Sequence, residues 1–282
     1  MEALGSILNR NVAPAHTCND WNQKEYVQGQ VDALNSQEGD WNQTDGYDCH
    51  ICKNKGVVFF VKQEADGDYN YSSYTCKCAG VRKTIRQMQR SGLKNIIKDY
   101  TFDKYQAQEP WQITIRDTAK QYAANPHGWF FIGGQSGAGK THICTAICRE
   151  FLLAGKSVAY MLWRDDAVKL KGMVNDYEPY TEMIDRFKKV DVLYIDDLFK
   201  SGKGTDGAKQ RPTPGDINVA FEILNYRNND PALLTIISSE STTDDIIDID
   251  EAVGGRIVDR SVVLNLAHDP SRNYRLRKAV TI

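Results

Sequence analysis

No stretch of eighteen consecutive apolar residues occurs in the 282-residue chain, so no transmembrane helix and no membrane partner are expected. The opening MEALGSILNRNVAPAH lacks a basic segment followed by an apolar one, which argues against a secretory leader. An excess of either charge is lacking too, with 35 Lys and Arg against 37 Asp and Glu. The formal net charge is −2, which by itself points to no anionic or cationic partner. Internal repeats and long low-complexity tracts are missing, so repeat arrays are set aside. What is present is an ordinary apolar fraction of 41%, enough for one large domain or a medium domain with a smaller companion. Seven cysteines in a chain without a leader belong to a reducing compartment, where metal binding is commoner than disulfides. The expectation is a cytoplasmic protein.

Residues 132–142 read IGGQSGAGKTH. The pattern G-x-x-x-x-G-K-T falls on Gly134, Gly139, Lys140 and Thr141. Glycines let the backbone wrap so that its N–H groups face phosphates, the lysine reaches the β- and γ-phosphates, and the threonine hydroxyl ligates Mg²⁺. The apolar run Trp129–Ile132 suits a strand before the loop. Ile143, Ile147 and Phe151 mark one face of a helix after it, so the phosphates would sit at a helix N-terminus.

Cys49 and Cys52 form C-x-x-C, and Cys76 and Cys78 form C-x-C. Two close thiolate pairs on separate turns supply the four corners of a tetrahedral Zn²⁺ site. Between them GVVFFVK and YNYSSYTC read as two short strands around the turn DGD, the layout of a zinc ribbon. His50 is an alternative ligand inside the first pair. A redox C-x-x-C is the main rival, but it leaves the second pair unexplained. A ribbon this small depends on its metal to fold.

A four-part map follows. Residues 1–45 are polar, either a helical arm that orders on a partner or an unstructured leader. Residues 46–80 are the ribbon. Residues 81–98, VRKTIRQMQRSGLKNIIK, form a basic linker helix carrying Arg82, Lys83, Arg86, Arg90, Lys94 and Lys98. That helix is either a solvated connector or a phosphate-contacting face. Residues 99–282 are the nucleotide-binding domain.

In VDVLYIDDLFK an apolar strand delivers Asp196 and Asp197 at its carboxyl end. Asp196 would hold Mg²⁺ through water, and Asp197 would orient and deprotonate an attacking water. That second carboxylate disfavours small-molecule kinases and Ras-like switches. A third strand, in LLTIISSE, ends at Ser239 and Glu240, where ATPases with an additional strand place a γ-phosphate sensor. Arg256 and Arg260 lie at i, i+4 in GGRIVDRS, and Arg275 follows in SRNYRLRK. Arginines in that order suit a finger given to a neighbour's nucleotide and a second residue acting in cis. A surface ion pair is the commoner fate of any single one.

The succession of cysteine pairs, basic helix, GQSGAGKTH, YIDDLF, NYR, TIISSE, GGRIVDRS and a second NYR resembles the DnaC/DnaI-type helicase loaders over roughly residues 46–282. These are AAA+ ATPases related to IstB transposition helpers, many of them from phages and prophages. The resemblance implies an α/β fold, a parallel sheet flanked by helices with no helical lid, preceded by a small zinc ribbon. It implies ATP, Mg²⁺ and Zn²⁺ as cofactors, a hexameric DnaB-type replicative helicase and single-stranded DNA as partners, and self-association into a ring or spiral. By that match Gly134, Gln135, Ser136, Gly137, Ala138, Gly139, Lys140, Thr141 and the adjoining His142 bind the nucleotide, and Asp196 with Asp197 form the Walker B pair. Ser239 or Glu240 is the first sensor, Arg256 or Arg260 the finger, and Arg275 the second sensor. Glu240 stands where loaders often have Asn, and the loop 200–215 has no assignable counterpart. Two other readings stay open: an IstB-like transposition helper, and an ATP-switched, zinc-containing nucleic-acid-binding regulator. The ribbon is more at home in a loader.

Overall fold

The computed structural model describes residues 22–90, 93, 96–200 and 210–273. Arg275, Lys94, Cys18 and residues 201–209 of the long loop lie outside the described residues. The chain divides into two compact units, Met1–Gly39 with His50–Cys76, and Asp40–Cys49 with Lys77–Ile282.

In the first unit, helix α1 (Gln23–Ser36) starts at Asn22, whose side chain accepts the Glu25 amide, the usual device for an uncapped first turn. Strands β1 (Val57–Gln63) and β2 (Tyr69–Thr75) pair antiparallel, from Val57↔Thr75 to Gln63↔Tyr69. Val27 and Val31, one turn apart, are the buried residues of α1. Asn35 fixes the helix to the hairpin edge, donating to the Phe59 carbonyl at 2.9 Å and accepting its amide at 3.0 Å. The described part of the N-terminal arm is therefore an ordered helix packed on the hairpin within its own unit.

The second unit contains α2 (Trp41–Asp45) and α3 (Cys78–Arg90). Val81, Ile85 and Met88 of α3 are buried at helical spacing, and Thr84 Oγ1 donates to the carbonyl of Val158. So α3 packs on the segment at Val158 of its own unit rather than serving as a free connector. Arg82 corrects the reading of a basic outer face. It is 0% exposed, ion-paired with Asp45, and lies 5.4 and 5.7 Å from the ring centroids of Tyr47 and Trp41. Lys83, Arg86 and Arg90 remain exposed or partly exposed.

After α4 (Ile96–Asp99), α5 (Pro110–Ala124) begins with proline in its first turn and a capping box between Glu109 and Gln112. The chain then alternates strand and helix: β3 (Trp129–Gly134), α6 (Lys140–Leu153), β4 (Val158–Leu162), α7 (Trp163–Gly172), α8 (Tyr177–Lys189), β5 (Val192–Leu198), α9 (Pro214–Asn228), β6 (Leu234–Ser239), α10 (Thr243–Ile249), α11 (Glu251–Arg260) and β7 (Ser261–Leu266). The sheet order is β4-β5-β6-β3-β7, every pair parallel. Strands covered on both faces need apolar residues at successive positions. Hence Trp129–Ile132 and Val192–Ile195 read as continuous apolar runs and Leu234–Ile237 is broken only by Thr235, with every residue of the three buried.

Arg227 is the buried brace of this sheet. Its guanidinium donates to the carbonyls of Phe187, Lys188 and Val190 at 2.8–3.0 Å and to Leu234 at 2.6 Å, with Nε on Thr235. One cation thus caps the last turn of α8, where free carbonyls collect, and ties it to β6. Burial pushes its pKa down to about 10.

Candidate nucleotide and metal sites

Parallel strands place their carboxyl ends on one side, and ligands bind in the crevice there. Between β3 and α6 the loop turns on left-handed glycines. Gly134 has φ 114°, and a Cβ there would stand 2.3 Å from the Leu266 carbonyl. Gly139, at φ 84°, caps α6 without any side-chain hydrogen bond and would meet the Tyr105 ring at 2.9 Å. Only glycine fits either position. The first amides of α6 therefore face the loop, a ready anion site.

Lys140 is buried, and its Nζ donates to the carbonyls of Gly134 and Gln135 at 2.7 Å each. Burial lowers its pKa, against the opposing pull of Asp197 and Glu240. Ser136, Gly137, Gly139, Lys140, Thr141 and His142 line a cleft of ≈ 370 Å³, joined by Asp197, Lys200 and Glu240. Gln135 and Ala138 stand aside. The Gln135 amide pairs in both directions with the backbone of Asp269, at 2.7 and 2.6 Å, and Ala138 is buried. His142 lies between the rings of Tyr100 and Tyr105, at 5.3 and 5.5 Å, with Nε2 2.9 Å from the Thr101 carbonyl.

Asp196 sits behind the cleft, 5% exposed, on β5. Its Oδ1 accepts from Tyr194 at 2.8 Å and Ser238 at 2.6 Å, and its Oδ2 from Tyr160 at 2.9 Å. Burial raises its pKa, while the hydroxyls favour the carboxylate. After Ile195 the register of β5 against β6 shifts, and Asp197 and Phe199 both take left-handed φ, 60° and 58°. That conformation is costly for a bulky residue such as phenylalanine. Phe199 is held in it by burial and by an edge-on contact with Trp163 at 5.4 Å. The irregularity turns Asp197 into the cleft, where Oδ2 is 2.8 Å from Lys200 Nζ.

The two first-sensor candidates separate here. Ser239 is buried and donates to the Leu198 carbonyl at 2.8 Å, whereas Glu240 lines the cleft and pairs with Lys200 at 3.1 Å. Arg256 and Arg260 do not join the cleft. Ser261, next to Arg260, pairs with Trp129 at the start of β3, while Gly134 pairs with Leu266. Five strand steps separate the two ends, roughly 17 Å. Arg256 is engaged with Asn225 at 2.8 Å, the Ala252 carbonyl at 2.7 Å and the Phe221 ring at 4.7 Å. Arg260 has Nε and Nη2 buried with no hydrogen-bond partner among the described residues.

The sequence reading missed Tyr100, Tyr105, Lys200, Tyr160 and Ser238. Lys200 and Ser238 lie within VDVLYIDDLFK and LLTIISSE, but the spacing of those stretches marks only the aspartates and the residues at the strand end. Helices α7 and α8 carry Lys169, Lys171, Lys188 and Lys189. All four are ion-paired, with Asp166, Asp216, Glu222 and Asp185.

The sulfur atoms of Cys49, Cys52, Cys76 and Cys78 all lie within 4.8 Å of one another, and all four residues are buried. Thiolates about 2.3 Å from a tetrahedral ion stand roughly 3.8 Å apart, so the donor set fits Zn²⁺. Lys53 and Asn54 at left-handed φ turn the chain after Cys52, and the Gly56 amide donates to its sulfur at 3.3 Å. His50 is exposed and not part of the group.

A glycine loop leading into a helix, an acidic pair two strands away, and a strand interposed between them define the P-loop core of the AAA+ class. Comparison with known proteins narrows the class: the chain belongs to the IstB-like ATP binding protein family, whose profile matches residues 78–265. It is 31% identical over 224 residues to protein XkdC of the phage-like element PBSX of Bacillus subtilis, covering 75% of this chain and 78% of that one. It is also 30% identical over 120 residues to the replicative helicase loader DnaC of Escherichia coli, covering 41% of this chain but only 49% of DnaC. Among solved structures, the DnaC helicase loader superposes with TM-score 0.51 at 19% identity, over 61% of this chain and 98% of that one. Domain III of the Thermotoga maritima replication initiation protein DnaA gives 0.50 at 22% identity, over 62% and 70%. Both likenesses concern the fold alone.

Proposed function

We propose that the protein is an ATP-hydrolysing helicase loader that assembles head to tail, binds a hexameric replicative helicase and assists its placement on single-stranded DNA. The observation that carries this reading is the distance between Arg260 and the phosphate loop of the same chain, at opposite ends of the β3–β7 pair. An arginine that cannot reach its own nucleotide can serve a neighbour's, and a head-to-tail interface generates a ring or a spiral. Among the described residues Arg260 has two buried donors without a partner, Nε and Nη2, whereas Arg256 lacks one only at Nε and has both Nη atoms engaged, which favours Arg260.

Lys140 and the first turn of α6 bind the phosphates, and Thr141 with Asp196 would hold Mg²⁺, which when bound offsets phosphate charge. Asp197 orients the attacking water and takes its proton. Glu240, not Ser239, occupies the first-sensor position. The four cysteines hold a structural Zn²⁺. Phosphate contacts to DNA fall to the exposed Lys83, Arg86 and Arg90 of α3 rather than to the paired lysines of α7 and α8. A second reading, an IstB-like transposition helper, is favoured by the family match itself, and it shares every catalytic assignment.

The test is complex formation. With ATP present, the protein and a hexameric replicative helicase from its host should co-elute on size exclusion. Failure to do so, together with capture by a transposase, would select the helper.

A further inference from the structure

We propose that Lys200 is the cation of the acidic wall of the nucleotide cleft, where it neutralises Glu240 and Asp197 and so lets the site accept a γ-phosphate. The inference rests on the reading of the cleft as an ATP site. Two carboxylates line that cleft, Asp197 and Glu240, with Asp196 buried behind them. A carboxylate facing a phosphate repels it, so Glu240 in the sensor position is a liability that a neutral residue would not be. Lys200 answers both charges at once. Its Nζ lies 2.8 Å from Asp197 Oδ2 and 3.1 Å from Glu240 Oε1. The geometry is not a passing surface contact. Lys200 follows the two left-handed residues of the β5 terminus, and its amide donates to the Asp197 carbonyl at 2.9 Å. The side chain is 30% exposed, so it can turn from the carboxylates toward a ligand in the same cleft. Burial opposes its charge, but the two carboxylates outweigh that and hold its pKa above the ordinary lysine value.

Lys140 feels both carboxylates, but its Nζ is hydrogen-bonded to the Gly134 and Gln135 carbonyls and to neither of them. Lys104 also lines the cleft but pairs with Asp99 at 3.1 Å, which leaves Lys200 as the cation in contact with the acidic wall. A diphosphate held by the loop lacks the γ-phosphate that the two carboxylates would repel, so the contribution of Lys200 should be confined to the triphosphate.

The experiment compares fluorescent ATP and ADP analogues binding to the full chain and to three variants, with Mg²⁺ present. Lys200→Ala should weaken ATP by about tenfold or more, the size of one charge-assisted contact, while ADP changes by less than about twofold. Lys200→Ala combined with Glu240→Gln should recover most of that loss, because the unpaired carboxylate is gone. Glu240→Gln alone should tighten ATP, because the carboxylate that faces the phosphate is gone while Lys200 remains. Equal losses for ATP and ADP, or no rescue in the double variant, would overturn the inference while leaving the ATP site standing. If the parent chain binds neither nucleotide, the ATP site itself is wrong and Lys200 falls with it.

Discussion

The Ser238 hydroxyl on β6 donates to Asp196 Oδ1 on β5 at 2.6 Å. Ser238 Oγ in turn accepts the Asp197 amide at 3.0 Å, so one small side chain bridges both acidic residues at the point where the strand becomes irregular. Ser238→Ala leaves a buried carboxylate oxygen and a backbone N–H short of a partner. We expect a stability loss of roughly 1–3 kcal/mol in urea unfolding, with turnover reduced and ATP affinity retained. An unchanged unfolding midpoint would show that the bridge is dispensable.

Lys140 and Asp197 should separate binding from hydrolysis. Lys140→Ala removes the buried cation of the loop and should abolish nucleotide binding. Asp197→Asn keeps the shape and hydrogen-bonding capacity but not the base, so ATP should bind and scarcely turn over. Turnover at the parental rate in Asp197→Asn would shift the base elsewhere.

The cysteine group leads to a metal count. Elemental analysis of the purified protein should find about one zinc per chain, since four thiolates saturate a tetrahedral ion. Cys52→Ser or Cys76→Ser should lose it. Chelation should unfold the β1–β2 hairpin, which buries little apolar surface of its own, while nucleotide binding persists. Metal-free protein with an intact hairpin by circular dichroism would refute the assignment.

How much of this was legible in advance depends on what each feature needs. The phosphate loop, the Asp196–Asp197 pair and the hairpin between the cysteine pairs are local, written in contiguous residues whose spacing carries the physics. Tyr105, Lys200 and Ser238 act only because separate loops and strand ends meet at the carboxyl edge of the sheet, and no spacing records that meeting. Arg82 was misread for a different reason. A charged residue is normally placed on the solvated face, and here the Asp45 carboxylate and two aromatic rings supply a buried environment that the sequence around it does not announce. Ser239 and Glu240 are adjacent, so the alternation of β6 decides between them, and only the structure sets its phase.

The edge of the sheet carries a pH-dependent tie. Asp191 accepts the Ser157 hydroxyl at 2.6 Å and its amide at 3.0 Å, joining the starts of β4 and β5. The Ser157 hydroxyl is the main cause of a pKa lowered below the ordinary aspartate value. A depressed pKa contributes stability that is present above the unfolded value, near 3.9, and is lost as pH falls through the folded one. Ser157→Ala should therefore cost about 1 kcal/mol near pH 7, and the difference from the parent should shrink as the pH drops below roughly 4. A gap of the same size at both pH values in urea titrations would contradict this.

Arg260 bears on assembly itself. An arginine finger supplied by a neighbour contributes on the order of 10³ to 10⁵ in turnover, because it offsets charge as the γ-phosphoryl departs. A dilute monomer has no neighbour, so its hydrolysis should be slow and should rise with protein concentration or with added single-stranded DNA. Arg260→Ala should keep ATP affinity and lose the stimulated rate. Arg256→Ala should lose less, since its guanidinium is spent on Asn225, the Ala252 carbonyl and Phe221. Mixing Arg260→Ala with Asp197→Asn should restore part of the activity, because at a shared interface one subunit brings the base and the other the finger. A Lys140→Ala chain mixed with Arg260→Ala should rescue in the same way, as the first needs only to lend its arginine. Hydrolysis that is independent of concentration, with no complementation in either mixture, would mean that each chain works alone, and the head-to-tail assembly would have to be abandoned.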